Sequence, residues 1–172
     1  MINYPIEATD ACFGVEERSF WFRHRNRALS VLLERWPVAG SFADVGGGNG
    51  IVAAHLARLG LPVVMIEPSA SGCDHARARG VPRVIQGTLE SAGIGTAALG
   101  GIGAFDMVEH LEDAGEFCRL ARVKLVEGGH LYVSVPAHSG LWSQADVLIL
   151  RLPVALQGLR AGLEEGRLAP AA

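Results

Sequence analysis

Asp44-Val45-Gly46-Gly47-Gly48-Asn49-Gly50 is the stretch of this chain best suited to hold a small charged ligand. Glycines 46, 48 and 50, with Gly47 among them, let the backbone turn sharply and approach a ligand without Cβ clashes. Two residues before the first glycine stands Asp44, whose carboxylate would repel a pyrophosphate and attract an ammonium group, directly or through water. Glu67 ends the next apolar run, where a carboxylate can accept hydrogen bonds from both hydroxyls of a ribose. Gly48-Asn49-Gly50-Ile51-Val52-Ala53 also satisfies a loose G-x-G-x-x-A pattern, so a dinucleotide site, and with it an NAD-dependent oxidoreductase, is a reading that Asp44 argues against.

The Asp44 to Gly50 stretch resembles motif I of class I S-adenosylmethionine-dependent methyltransferases. That resemblance implies S-adenosylmethionine as cofactor, with Asp44, Gly46, Gly47, Gly48 and Gly50 around its methionine part and Glu67 and Pro68 at its ribose. Gln86-Gly87-Thr88-Leu89-Glu90 is similar to the turn that meets the adenine in this family, although Thr88 stands where an acid is usual; its hydroxyl and the Leu89 backbone remain available. Ile102 to Asp113 resembles the fourth-strand motif of a subset acting on small molecules or lipid-linked acceptors. The resemblance puts Phe105 and Asp106 beside the methionine part and Glu109 and His110 nearer the acceptor. His110 is the candidate general base, with a histidine capping the next helix as the structural alternative.

Two flanking segments extend the likeness. Phe20-Trp21-Phe22-Arg23-His24-Arg25-Asn26 looks like an element that lies over the cofactor cleft, which makes Arg23 a candidate cofactor contact; an amphipathic helix packed on the sheet is the alternative. Val135 to Asp146 looks like the loop after strand five that contributes to the acceptor pocket.

These residues need a scaffold of alternating strands and helices. Residues 15 to 36 read as a helix, since Leu29, Leu32, Leu33 and Trp36 recur at helical spacing. Strands are expected at 42–45, 62–66, 83–86, 102–105 and 130–135, and helices at 49–59, 70–79 and 113–125, with Gly60 and Gly80 as stops and Gly128-Gly129 as the turn into the fifth strand. The stretch from Ser91 to Gly101 gives no clear signal. Such alternation predicts an α/β fold: a Rossmann-like, doubly wound, mostly parallel sheet in three αβα layers, with an N-terminal helix and a ligand at the carboxyl ends of the strands. By the resemblance, these are strands one to five of the family's seven-stranded sheet.

At 172 residues and 49% apolar content the chain can bury one core. A formal charge of −3 gives no overall basic field for nucleic acid. Cys12, Cys73 and Cys118 offer no metal-ligand spacing, the start lacks a signal peptide, and no apolar run reaches the length of a membrane span; a cytoplasmic protein is expected. The cofactor-binding domain is expected over residues 1 to 146. After Asp146 the family continues with a helix and two antiparallel strands, for which residues 147 to 172 leave too little chain. They read as an atypical tail, of a minimal subunit or a frameshifted one. That tail implies low turnover or an inactive fragment, and a fifth strand whose free edge invites homodimers.

Overall fold

A computed structural model describes residues 13–135. The loop after strand five and residues 147 to 172, on which the expectation of an atypical tail rests, lie outside the described residues.

Among the described residues five strands form one sheet: β1 (Phe42–Val45), β2 (Val63–Glu67), β3 (Val84–Gln86), β4 (Leu99–Phe105) and β5 (Leu125–Ser134). Their order is β3-β2-β1-β4-β5 and every pairing is parallel, with Phe42 opposite both Val63 and Gly101. The chain runs outward from β1 to β3, then returns to the other side of β1 to lay down β4. The sheet order therefore reverses between β1 and β4, and their carboxyl ends open a crevice there.

Among the described residues, four helices longer than one turn cover the two faces: α1 (Phe20–Arg35), α2 (Ile51–Arg58), α3 (Ala70–Ala78) and α4 (Ala114–Lys124). Alternation along the strands sorts the core into two halves. Phe42, Val63, Met65, Phe105 and Tyr132 face Leu29 of α1, five residues of α2 and Ala76 of α3. Ala43, Val45, Val64, Ile66, Ile102 and Ala104 face Phe117, Cys118 and Ala121 of α4. Three layers result.

Local chemistry sets the helix ends. The Ser69 hydroxyl accepts from the Gly72 N–H at the start of α3, and the Asp113 carboxylate accepts from the Glu116 N–H at the start of α4. Gly60 and Gly80 take left-handed conformations after α2 and α3 and end them. The helical reading of residues 15 to 36 resolves into a short turn over 13–16, a break at Ser19, and α1.

Two strands begin earlier than the sequence pattern suggests. In β4, a Cβ on Gly100 would overlap the carbonyl oxygen of Ala39, and one on Gly101 would stand 2.7 Å from the Phe42 ring. The glycines that hide this strand from a propensity reading are what let β1 and its entry loop pack against it. In β5, Gly128-Gly129 is not a turn before the strand but an irregularity within it: the ladder passes from Leu99↔Leu125 to Gly101↔His130, so the intervening residues bulge out. β5 forms one edge of the sheet among the described residues.

Candidate functional site

The glycine loop leaves β1 at Val45 and enters α2 at Gly50. Gly46, Gly48 and Gly50 all hold positive φ, and a Cβ on Gly50 would press within 2.6 Å of the Ala76 Cβ on α3. The loop therefore accepts side chains neither conformationally nor, at its end, sterically. Its first N–H, on Gly46, donates to the Ile66 carbonyl at 2.8 Å, tying it to β2.

Two acids flank the loop. Asp44 is 1% exposed, and its Oδ2 has no hydrogen-bond partner. Burial pushes its pKa up to about 7; the Arg25 guanidinium and the Ala53 N–H pull the other way, and the Glu67 carboxylate adds to the rise. A buried carboxylate oxygen without a partner is costly, so this atom is matched to a donor or cation that the protein itself does not supply. Glu67 sits at the carboxyl end of β2, its oxygens accepting from the Gly48 N–H (2.9 Å) and the Ser69 N–H (2.8 Å). Burial raises its pKa while those two N–H groups lower it. Each oxygen keeps a further lone pair for a ligand hydroxyl.

A cleft of about 380 Å3 continues from the loop, lined among others by Gly46, Pro68, Thr88, Leu89, Met107 and Phe117. Thr88 is engaged with Ser91 in a local turn: the Thr88 N–H donates to the Ser91 hydroxyl at 2.9 Å. Leu89 is buried and gives the cleft an apolar floor.

On the other side of the loop, the end of β4 carries Asp106 at a φ of 52°. This left-handed aspartate is held from three directions: its N–H donates to the Ser134 carbonyl (2.9 Å), the Ser134 hydroxyl donates to Oδ1 (2.9 Å), and Arg25 reaches Oδ2 at 2.6 Å. Strained backbone fixed this way is characteristic of functional positions. Arg25 lies over the Phe22 ring, 4.8 Å from its centroid, so α1 brings a cation to the mouth of the crevice. Phe105 turns into the core beside Phe42 and Tyr132, whereas Arg23 is exposed on α1. His110 ends a single 3-10 turn, Val108–His110, and is half-buried. The preceding Glu109 is 1% exposed with Oε2 unpartnered, and burial pushes its pKa up to about 7, with the Asp106 charge a smaller cause of the same sign.

The structure thus gathers Asp44, Gly46, Gly47, Gly48, Gly50, Glu67, Pro68, Thr88, Leu89, Asp106 and His110 at the carboxyl ends of β1 to β4. Residue type alone does not single out Arg25, and Glu109 is marked only by the resemblance that puts it nearer the acceptor. Arg25 had a signal: Phe22, Arg25 and Leu29 recur at helical spacing on the buried face of α1, and Arg23 does not fall on that stripe.

Residues 16–164 match the family model described as a methyltransferase domain, and the match runs past Asp146. The chain belongs to that family, the class I methyltransferases whose cofactor is S-adenosylmethionine. Comparison with curated proteins finds no match. Solved structures share the fold. A methyltransferase from Thermotoga maritima, described as a possible histamine N-methyltransferase, is 22% identical over 86% of this chain and 76% of its own, with a TM-score of 0.62. The [4+2]-cyclase SpnF is 23% identical over 84% of this chain and 60% of its own, at a TM-score of 0.65. The glycopeptide N-methyltransferase MtfA, in complex with (S)-adenosyl-L-methionine, is 20% identical over 69% of this chain and 57% of its own, at 0.56. The chain spans about three fifths of the length of the latter two.

Proposed function

We propose that this chain binds S-adenosylmethionine in the crevice between β1 and β4 and transfers its methyl group to a small-molecule or lipid-linked acceptor. The observation that carries the reading is Asp44: a buried carboxylate oxygen with no partner, at the mouth of a glycine-rich loop. The cofactor fits this donor set. Asp44 would hold its α-ammonium, Glu67 its ribose hydroxyls, and the cleft at Thr88 and Leu89 its adenine, with Pro68 at the rim and Asp106 beside the methionine part. When bound, it supplies a methyl carbon activated by a positively charged sulfur.

Little covalent help is then needed from the protein, because orienting acceptor and donor provides most of the acceleration. The residues of the crevice bind, align and exclude water. Arg25 and the face of α1 around it close one side. His110 would take the proton of a hydroxyl acceptor and be dispensable for an amine or thiolate.

A second reading is a chain that binds the cofactor without methyl transfer. It is favoured by the neighbouring cyclase, whose fold is the same; fold alone does not fix a reaction. An assay with radiolabelled methyl donor on a panel of small and lipid-linked acceptors separates the two. Label transferred to an acceptor, and lost with Asp44→Ala, supports the methyltransferase. Tight cofactor binding with no transfer to any acceptor supports the second reading. Among the described residues no helix is long and apolar enough to cross a membrane.

A further inference from the structure

The glycine loop has a structural problem: between Gly46 and Gly50 only Asn49 carries a side chain, so the loop cannot hold its own shape. Everything that fixes it laterally must act through Asn49 or through backbone. Asn49 is 4% exposed and is gripped at three atoms. Its carbonyl accepts from Arg79 Nη1 at 2.8 Å, its Nδ2 donates to Glu16 Oε1 at 3.1 Å, and its Oδ1 accepts from His75 Nδ1 at 2.8 Å.

The gripping groups form one buried cluster. Arg79, the residue that caps α3, has a side chain only 4% exposed and pairs with Glu16, itself 8% exposed. A second nitrogen, Nη2, donates to the Phe13 carbonyl at 2.9 Å, while the guanidinium lies over the Phe13 ring, 4.5 Å from its centroid. Phe13 in turn stacks on His75 with ring centroids 4.1 Å apart. Three stretches distant in sequence, 13–16, 49 and 75–79, are locked together, and the next residue along the loop from Asn49 is Gly48, whose N–H meets Glu67.

A buried ion pair is a poor way to gain stability, since apolar residues of the same volume often do as well. Its value is a defined geometry. We infer that Arg79 is a positioning residue for the cofactor loop, acting through Glu16 and Asn49, and that the 13–16 segment is thereby a working part of the cofactor site. By linkage, cofactor binding and docking of that segment favour each other. This inference rests on the reading that the loop holds S-adenosylmethionine.

The test is calorimetric binding of S-adenosylhomocysteine to the full chain and to four variants, with thermal melting of each in parallel. Removing Arg79 alone would strand the Glu16 charge and endanger folding, so both charges are removed together in Glu16→Gln/Arg79→Met. Asn49→Ala breaks the same grip without touching the ion pair. Arg79→Lys keeps the charge but loses the forked donor, and Arg77→Ala, which removes an exposed pair with Asp74, is the control. Expected are a Kd raised about tenfold or more for the double variant and for Asn49→Ala, a partial rise for Arg79→Lys, and no change for the control. A purely structural cluster would lower the melting temperature and leave the Kd of the folded protein alone. Kd values within twofold of the parent for both the double variant and Asn49→Ala overturn the inference while sparing the cofactor reading. Failure of the parent itself to bind overturns both.

Discussion

Cofactor binding should depend on pH through Asp44, in a direction opposite to the stability of the free protein. Burial raises this carboxyl from 3.8 to about 7, so folding without ligand takes up a proton in the interval between. Its contribution to stability is fully present below the unfolded pKa and is lost as pH rises through 7; Glu109, raised from 4.5 to about 7, adds a contribution of the same sign. The ligand-free protein should therefore melt at lower temperature at pH 8 than at pH 5.5. An ammonium group seated on Asp44 needs the ionised form. One pH unit below a pKa near 7 only about a tenth of the carboxyl is ionised, so affinity for S-adenosylhomocysteine should be about tenfold weaker at pH 6 than at pH 8, or about 1.4 kcal/mol. The assay is calorimetric titration across that range in buffers of differing ionisation enthalpy, which also counts the proton released on binding. Asp44→Asn, nearly the same shape without the titration, should bind more weakly at pH 8 and lose most of the slope. A flat profile in the parent, or an equal slope in the Asn variant, would refute the assignment of the ammonium to Asp44.

Gly100→Ala should destabilise the protein by several kcal/mol, because the new Cβ has no room beside the Ala39 carbonyl; denaturant melts that match the parent would show that the loop before β1 yields freely. Arg25→Ala should expose α1 to trypsin in the presence of cofactor, whereas in the parent, cleavage at Arg23 and Arg27 should slow once cofactor is added. Cleavage rates indifferent to ligand in the parent would leave α1 as a packing element only.

Most of the scaffold is legible because its signals are local. The Asp44 to Gly50 loop, the Gly60 and Gly80 stops and the short apolar runs of β1 and β2 each specify an element from a few adjacent residues. What escapes is what depends on a distant neighbour. Gly100 and Gly101 give no signal until Ala39 and Phe42 are placed against them, and Gly128-Gly129 looks like a turn until the ladder between β4 and β5 shows a bulge. The site divides in the same way. Asp44 and Glu67 follow from their places at strand ends, but Arg25 reaches Asp106 across 81 residues and Arg79 reaches Glu16 across 63. Charge and residue type give no hint of such pairs; helical phase does for Arg25, and only the assembled fold does for Arg79.

The account stands most directly on whether the loop and Glu67 together hold S-adenosylmethionine. Calorimetric titration of the chain with S-adenosylhomocysteine and separately with NAD, repeated on Glu67→Ala, decides it. Saturable one-to-one binding of the first, weakened about tenfold or more by the substitution, with no binding of NAD, is the predicted result. Binding of NAD with comparable affinity, or binding of S-adenosylhomocysteine that Glu67→Ala leaves unchanged, would contradict it.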